Sequence, residues 1–330
     1  MKIMVDAMGG DNAPEAVVKG SLLARDEFSV SIVLSGKEDV LKKCIENETK
    51  DYRNIEILNA EDIITNDDKP VLAIRRKKES SLVKALHAVK NNEADAIVSA
   101  GNSGALLSGA TLIIGRIGKL ERPALAPFMP TDKGFALLVD AGANADCKPE
   151  YLADFALMGS IYSRHILNIE NPKVGLLNIG GEEGKGNQLS IDTYGLLKNS
   201  SLNFVGNIES RYVLRGDADV IVTDGFSGNI LLKSIEGTAS YIMDNLKKEL
   251  MSSFRSKVGA LLVKPALRNF KKRLDYGEVG GAMLLGVNAP VIKAHGSSDC
   301  IAIKNAIKQT KNILDSNVVN LIREALQTQH

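Results

Sequence analysis

The sequence contains few cysteines and no long hydrophobic run. Its three cysteines, Cys44, Cys147 and Cys300, lie far apart and include no C-x-x-C pair. Neither a disulfide framework nor a zinc site is therefore indicated, and we expect reduced thiols. No apolar stretch approaches the ~18 residues that a membrane-spanning helix requires. The first residues form a strand-like KIMVD without the pattern of a signal peptide, which predicts a cytoplasmic protein.

The chain also has almost no net charge, because 41 Lys and Arg residues oppose 40 Asp and Glu residues. A nucleic-acid partner is not expected, since any basic patch would have to be local. At 330 residues, with 44% hydrophobic and 25% charged residues, the chain can bury a large core. The composition fits a globular protein with one large α/β unit or two domains.

One phrase occurs twice in the chain. Residues 94–107 read ADAIVSAGNSGALL, and residues 218–231 read ADVIVTDGFSGNIL. Each copy runs from a short apolar strand through a glycine-containing turn into a helical pattern, which leaves unpaired backbone N–H groups at the carboxyl end of the strand. Such a turn is suited to phosphate. The two copies predict two similar half-sites in a duplicated architecture.

The rest of the pattern alternates strands and helices. Short apolar runs and helical patterns follow one another over residues 2–59, as in parallel βαβ units. Two further strands are predicted at 121–127 and 135–140, antiparallel because the link between them is short. A single helix is predicted over 300–327. Because no low-complexity linker separates the halves, we expect one domain over residues 1–330 with two interleaved lobes.

A series of short motifs follows in order along the chain. The first half carries DAMGGD at 6–11, SAGNSGAL at 99–106, RPALA at 122–126 and DAGAN at 140–144. The second half carries LNIGGEEGKGN at 177–187, DGFSGN at 224–229, GGAMLLG at 280–286 and HGSS at 295–298. Together they closely resemble the phosphate acyltransferase family, the bacterial acyl-carrier-protein:phosphate transacylases of phospholipid synthesis. The resemblance spans about residues 1–325; Ser103 stands where the family often has Thr, and Gly181 is an extra glycine.

The resemblance implies transfer of a fatty acyl group from acyl carrier protein to inorganic phosphate, giving acyl phosphate, with no metal and no cofactor. It also implies a fold similar to that of isocitrate and isopropylmalate dehydrogenases. That fold is a three-layer α/β/α body with a large mixed, mostly parallel sheet and two pseudo-symmetric halves. Because a thiolate leaves readily, positioning of phosphate and stabilisation of the oxyanion should supply most of the rate.

Two residues are candidate catalytic groups. Lys185 follows a predicted strand in a glycine-rich loop, although Gly186 after it excludes a Walker A motif. It is either a solvated lysine or a cation that neutralises phosphate or the oxyanion. Asn229 stands where the first copy of the repeat has Ala105, and it either donates to the oxyanion or starts the helix. The candidate phosphate- and substrate-binding residues are Gly101, Asn102, Ser103, Gly104, Asn144, Gly186, Asp224, Gly225, Ser227, Gly228, His295 and Ser297.

Other polar residues also follow or end predicted strands. We interpret Asp6, Asp140 and Asp224 as loop organisers, bonded to backbone N–H groups or to Lys185. Cys147 is an alternative covalent acceptor of the acyl group. Direct attack by phosphate is favoured, because no histidine lies near Cys147 in the sequence.

Two basic segments suggest partners. Arg75, Arg76, Lys77 and Lys78 form either a solvated face or a docking patch for the acidic carrier protein. Residues 230–273 predict a protruding helical hairpin, with helices at 230–251 and 266–273 joined by an apolar turn. The hairpin favours a homodimer. Its predicted tip is surrounded by lysines and is an alternative contact for anionic lipid, through Leu261, Leu262 and Val263.

Peripheral membrane contact would place the enzyme beside anionic lipid or a membrane acyltransferase that takes acyl phosphate. Three other functions remain open. One is a phosphate acetyl- or butyryltransferase that uses acyl-coenzyme A. Another is an NAD-dependent decarboxylating dehydrogenase, which the absence of a G-x-G-x-x-G fingerprint disfavours. The third is a non-catalytic scaffold that recruits the carrier protein to membranes.

Overall fold

The computed structural model describes residues 1–274 and 280–329. Its strands are β1 (Lys2–Asp6), β2 (Ser31–Gly36), β3 (Ile55–Asn59), β4 (Ala96–Ser99), β5 (Ala124–Ala126), β6 (Phe128–Thr131), β7 (Gly134–Val139), β8 (Val174–Asn178), β9 (Phe204–Glu209), β10 (Val220–Val222), β11 (Ala282–Leu285) and β12 (Val291–Lys293). Its helices are α1 (Glu15–Phe28), α2 (Glu38–Glu48), α3 (Pro70–Arg76), α4 (Ser81–Lys90), α5 (Ser103–Gly109), α6 (Pro149–Ile166), α7 (Gln188–Lys198), α8 (Gly225–Leu250), α9 (Phe254–Leu274), α10 (Cys300–Asp315) and α11 (Val318–Gln329).

The strands form two sheets. The seven-stranded sheet has the order β3-β2-β1-β4-β12-β11-β5, parallel from β3 to β12 and antiparallel at β11 and β5. The five-stranded sheet has the order β6-β7-β10-β8-β9, parallel except for β6. The predicted α/β class with mostly parallel strands is confirmed, although the strands divide into two sheets where one large sheet was expected.

Helices cover both faces of the seven-stranded sheet. Along β1, Ile3 and Val5 belong to a core cluster that includes residues of α1 and α10, whereas Met4 belongs to a cluster with residues of α4. Adjacent strand residues point to opposite faces, so a strand covered on both sides must be apolar throughout. This explains the continuous apolar runs of β1 and β4. The two copies of the repeat lie in the middle of their sheets, since β4 pairs with β1 and β12 while β10 pairs with β7 and β8.

Two predicted elements differ from the structure. The segments 121–127 and 135–140 do not form a strand ladder with each other as predicted, although the Leu138 N–H donates to the Pro127 carbonyl at 3.0 Å. Instead, β5 pairs with β11 in the larger sheet, and β7 has β6 as its antiparallel partner. The predicted helix over 300–327 is divided between α10 and α11, because Asn317 adopts a left-handed conformation with φ of 54°.

The helical hairpin turns at a different place from the predicted one. Helices α8 and α9 meet at residues 251–253, where the Ser252 hydroxyl donates to the Glu249 carbonyl and the Ser256 N–H donates to the Ser253 hydroxyl. These serine side chains satisfy backbone groups at the two helix ends. Helix α9 then continues through Pro265, so Leu261, Leu262 and Val263 lie inside a helix and not at a tip.

Candidate active site

In the larger sheet, the loop after β1 packs against the turn after β4. Asp6 ends β1, and its buried carboxylate accepts hydrogen bonds from the Ser81 hydroxyl at 2.6 Å and the Ser99 hydroxyl at 2.7 Å. A Cβ at Gly9 would lie 2.8 Å from the Cα of Gly101, so the two turns touch through bare backbone. The glycines of the DAMGGD and SAGNSG motifs therefore permit close loop packing.

The smaller sheet repeats this arrangement. Asp140 follows β7, and its buried carboxylate accepts from the backbone N–H groups of Leu125, Ala143 and Asn144 at 3.0, 2.9 and 2.8 Å. A Cβ at Gly228 would lie 1.9 Å from the Asp140 carbonyl oxygen. Burial raises the pKa of the Asp140 carboxyl, and its hydrogen bonds act in the opposite direction. Asp140 is thus bonded as a loop organiser.

The same balance holds for Asp6. Burial raises the pKa of the Asp6 carboxyl, whereas the hydrogen bonds from the two serines lower it.

The two copies of the repeat start their helices at different positions. Asp224 precedes α8 and accepts from the Ser227 N–H at 2.8 Å. Asn102 precedes α5 and accepts from the Ala105 N–H at 3.0 Å. Since Asp224 aligns with Ala100 in the repeat, the second helix begins two residues earlier than the first.

This offset argues against the interpretation that Asn229 starts the helix. The start of α8 is already capped by Asp224, and Asn229 lies in the second turn of the helix. Its amide faces Gly142, where a Cβ would lie 3.6 Å from the amide carbon. Within the described residues, the structure gives this exposed amide no hydrogen-bond partner. Asn229 is therefore available to a ligand.

A cleft of about 380 Å³ lies where the two halves meet. One wall comes from α5, β11 and the end of β12; the other comes from the loop after β7 and from α8. Its lining residues are Ser103, Gly104, Leu107, Leu125, Pro127, Phe128, Ala141, Gly142, Asn229, Leu232, Lys233, Glu236, Gly280, Gly281, Ala282, Lys293, Ala294 and His295. The cleft thus brings together Ser103 and Gly104 from the first copy of the repeat and Asn229 from the second.

The remaining candidate residues lie outside the described lining of this cleft: Gly101, Asn102, Asn144, Lys185, Gly186, Asp224, Gly225, Ser227, Gly228 and Ser297. Several of them hold loops in place. The Asn144 amide donates to the Pro123 carbonyl at 2.7 Å and to Asp140 at 2.8 Å. The Asn102 amide donates to the Thr65 carbonyl at 3.0 Å. A Cβ at Gly225 would lie 2.7 Å from the Asn144 carbonyl oxygen.

Lys185 lies in the loop after β8. Its side chain is 53% exposed, and its ammonium is 4.0 Å from the Glu182 carboxylate. The Lys185 carbonyl accepts from the Asn178 amide at 3.0 Å, and Gly186 beside it has a φ of +99°. The loop geometry is therefore fixed by backbone contacts, while the lysine side chain points to solvent near Glu182.

His295 lies at the rim of the cleft. The Ser297 N–H donates to its Nδ1 at 3.2 Å, and the Ser297 hydroxyl is 2.8 Å from the same nitrogen. Because a backbone N–H only donates, Nδ1 is an acceptor and the neutral ring carries its proton on Nε2. Ser297 therefore contacts His295 and does not itself belong to the described lining of the cleft.

The sequence analysis missed Lys293, which ends β12 inside the cleft. Its ammonium donates to the Ala100 carbonyl at 3.2 Å and to the Ala294 carbonyl. Burial lowers the pKa of Lys293 to about 8, although the charges of Asp6 and Asp11 raise it. A lysine at the end of an apolar strand, two residues before the histidine that was singled out, was an available signal. A second cation of the cleft, Lys233, forms an ion pair with Glu236 at 2.7 Å.

Cys147 is poorly suited to covalent catalysis. Burial, followed by the charge of Asp140, raises the pKa of its thiol to about 12. The reactive thiolate is therefore scarce at neutral pH. Its sulfur lies 3.6 Å from the Asn144 carbonyl oxygen, and Cys147 is not among the described lining residues of the cleft.

The cleft combines polar and apolar surfaces. Lys293 and Lys233 supply positive charge, and Ser103 and Asn229 supply hydrogen-bond donors. Across residues 1–274 and 280–329, we find no group of three or more His, Cys, Asp or Glu side chains placed to hold a metal ion. Among those same residues, none of the helices is both long and apolar enough to cross a membrane. The arrangement can hold an anion beside an apolar group.

Comparison with known proteins identifies the family. A family model described as "Fatty acid synthesis protein" matches residues 1–321. A protein named phosphate acyltransferase from Clostridium novyi (strain NT) is 51% identical over 328 residues, which cover 99% of each chain. The chain belongs to the phosphate acyltransferase family. A second member, from Alkaliphilus oremlandii (strain OhILAs), is 52% identical over 332 residues, covering 99% of this chain and 98% of its own.

Solved structures confirm the fold of this phosphate acyltransferase family member. A phosphotransacetylase from Streptococcus pyogenes superposes with a TM-score of 0.60 at 18% identity, covering 95% of this chain and 94% of its own. A branched-chain phosphotransacylase from Enterococcus faecalis V583 superposes with a TM-score of 0.54 at 14% identity, covering 95% of this chain and 99% of its own. At such identities the likeness concerns the fold alone.

Proposed function

We propose that the protein transfers a fatty acyl group from acyl carrier protein to inorganic phosphate and releases acyl phosphate for phospholipid synthesis. The observation that carries the proposal is the cleft, where both copies of the repeat face the half-buried Lys293. A polar, cationic patch beside apolar walls suits a reaction between an anion and an acyl chain. Membership of the phosphate acyltransferase family supports the same reaction class.

In the proposed reaction, a phosphate oxygen forms a bond to the thioester carbonyl carbon and the C–S bond breaks. The electron pair leaves with the carrier thiolate, which takes a proton from water. The Lys293 ammonium, the Ser103 hydroxyl and the His295 Nε2–H hold the phosphate. The Asn229 amide donates to the carbonyl oxygen as negative charge develops on it.

Lys185 remains our second candidate cation. Its ammonium pairs with Glu182 at 4.0 Å, outside the described lining of the cleft. An exposed pair of this kind is weak, so the lysine can leave it when substrate arrives. We therefore assign Lys185 to the incoming substrate and Lys293 to the resident phosphate.

The proposal is tested by incubating the protein with palmitoyl-acyl carrier protein and phosphate, and by assaying both free thiol and acyl phosphate. Equal formation of the two products is expected. Parallel reactions with acetyl- and butyryl-coenzyme A address the principal alternative, a short-chain phosphate acyltransferase. Faster turnover of these short donors would contradict our assignment of acyl-acyl carrier protein as the donor. The absence of acyl phosphate with every donor would refute the function itself.

The carrier protein is proposed to dock on the basic segment around α3. Arg75, Arg76 and Lys78 are exposed there. Lys77 is occupied within the chain, because its ammonium donates to Asp68 at 2.8 Å. Replacing the three exposed residues with glutamate should raise the KM for acyl-acyl carrier protein and leave that for acyl-coenzyme A unchanged, whereas equal changes would exclude docking here.

The helical hairpin is proposed to form a homodimer and to contact anionic membranes. Leu261, Leu262 and Val263 are 69, 78 and 45% exposed on α9. Co-sedimentation with anionic vesicles at low salt tests the lipid contact, with Leu261→Asp/Leu262→Asp as the variant expected to stay in solution. Failure of the unmodified protein to sediment would end this proposal, and light scattering that gives a monomer mass would end that of the dimer.

A further inference from the structure

A second depression lies beside the candidate active site, between α8 and β6. Its volume is about 540 Å³, within the range of roughly 300–1,000 Å³ that is usual for small-molecule sites. Its lining residues are Phe128, Met129, Pro130, Thr131, Asp132, Leu214, Leu232, Ser234, Ile235, Glu236, Thr238, Ala239, Ile242, Met243 and Phe270. We call it the α8 groove. Most of these side chains are aliphatic, aromatic or thioether groups.

The α8 groove is continuous with the cleft. Phe128, Leu232 and Glu236 line both, so the two depressions share a wall. Along α8, the groove residues Leu232, Ile235, Ala239 and Ile242 recur every three or four positions. This spacing places them on one face of α8, which extends from the cleft toward the turn between α8 and α9.

The wall of the α8 groove leaves apolar side chains in water. Ile242 is 55% exposed, Phe270 is 42% exposed and Leu214 is 38% exposed. Contiguous exposed apolar surface usually marks a binding site. A mostly apolar groove that adjoins the cleft suits an unbranched hydrocarbon chain.

We propose, on the basis of the function proposed above, that the α8 groove holds the fatty acyl chain of the donor while its thioester carbonyl lies in the cleft beside Asn229. The thioester then lies next to the phosphate that Ser103 and Lys293 hold, and the hydrocarbon runs along α8 past Ala239. The groove accordingly sets the preference for long chains, because each methylene that it covers contributes roughly fourfold to binding.

The test is a bulky residue inside the α8 groove. Ala239→Trp fills the groove some distance along α8 from the cleft, and Ser240→Trp places the same side chain on the neighbouring exposed position, which is not among the groove residues. We expect Ala239→Trp to lower kcat/KM for palmitoyl-acyl carrier protein on the order of 100-fold, as the loss of a few covered methylenes predicts. The value for a butyryl donor and both values for Ser240→Trp should remain at the wild-type level.

A charge provides a second variant if the tryptophan disturbs folding. Ile242→Asp alters an exposed groove residue, and Tyr241→Asp is its control, since Tyr241 is 70% exposed and does not line the groove. Binding of a fluorescent fatty acid, displaced by palmitate, gives a readout that needs no turnover. Ile242→Asp should weaken this binding, and Tyr241→Asp should not.

The outcomes separate this proposal from the function on which it depends. If Ala239→Trp still forms acyl phosphate but loses kcat/KM equally for palmitoyl and butyryl donors, the groove proposal alone is refuted. The same holds if kcat/KM falls for neither donor. A changed oligomer mass with an unchanged chain-length profile would refute it too, and would assign this face to a second copy of the chain. No acyl phosphate from any donor, with fatty-acid binding still sensitive to Ile242→Asp, would refute the reaction and keep the groove.

Discussion

Replacing Lys293 with methionine would remove the half-buried cation of the cleft and keep the length of the side chain. Its ammonium donates to the Ala100 carbonyl at 3.2 Å, and the charges of Asp6 and Asp11 attract it. If this charge holds phosphate against the carbonyl, its loss should lower kcat/KM by about 10²–10³, which is ~2.7–4 kcal/mol of transition-state stabilisation. Lys233→Met is the matched control. Lys233 is 55% exposed and paired with Glu236, so we expect a smaller loss, below about tenfold.

The pH dependence of the rate follows from the same burial. The pKa of Lys293 is lowered to about 8 from its usual 10.5, so the ammonium is present below about pH 8 and lost above it. Wild-type kcat/KM should therefore fall as the pH rises through this value. The corresponding decrease should be missing in Lys293→Met.

The folding stability should change with pH in the direction opposite to the rate: it should rise as Lys293 loses its proton. Because the folded pKa of Lys293 lies below the unfolded one, the unfolded chain binds more protons between about pH 8 and 10.5. The partly desolvated charge thus opposes folding below about pH 8, by roughly 3 kcal/mol, and this cost fades as the pH rises to 10.5. Part of the gain on substitution is offset, since Asp6 loses an attracting cation. Lys293→Met should therefore be no less stable than the wild type at neutral pH.

Initial rates of thiol release, measured from below to above the pKa of Lys293, would test these expectations together with thermal unfolding followed by circular dichroism. Near-normal kcat/KM in Lys293→Met would refute the reasoning. An equal loss in Lys233→Met would also refute it, because the effect would then come from general charge. A loss of activity that merely follows a loss of fold would contradict the stability argument.

Further predictions concern other residues of the site. Lys185→Ala and Asn229→Ala should each reduce turnover by about 10²–10³ with the fold intact, and near-normal turnover would remove either residue from the mechanism. Cys147→Ser should keep full activity because the raised thiol pKa disfavours a thiolate; an acylated Cys147 in quenched enzyme would contradict this. Gly228→Ala should lower the denaturant midpoint, since its Cβ would lie 1.9 Å from a backbone oxygen, whereas Gly237→Ala, with open space around it in the same helix, should raise stability by about 0.5–1 kcal/mol.

Much of the fold could be predicted from local patterns. The alternation of strands and helices predicted over residues 2–59 is observed as β1, α1, β2, α2 and β3. β6 was missed because Pro130 argues against a strand, yet β6 is the edge strand of its sheet, where a missing N–H is tolerated. The break between α10 and α11 had a signal in Ser316 and Asn317, residues that favour helix ends.

The candidate site was harder to predict than the fold. The repeat led to Ser103 and Asn229, because strand–turn–helix units place such residues at sheet edges. Lys293 was missed because two of the charges that act on it, those of Asp6 and Asp11, lie more than two hundred residues earlier in the chain. Lys185 was chosen for its glycine-rich loop. Sequence spacing alone does not show that its side chain lies near Glu182 and outside the described lining of the cleft.

The central claim is that inorganic phosphate binds where the two copies of the repeat meet. A crystal structure of the protein soaked in phosphate tests this most directly. Phosphate oxygens within hydrogen-bond distance of the Ser103 hydroxyl and the Lys293 ammonium, with the Asn229 amide facing the same space, are the expected result. Phosphate bound on the Lys185 loop or elsewhere, with the cleft free of it, would contradict the claim.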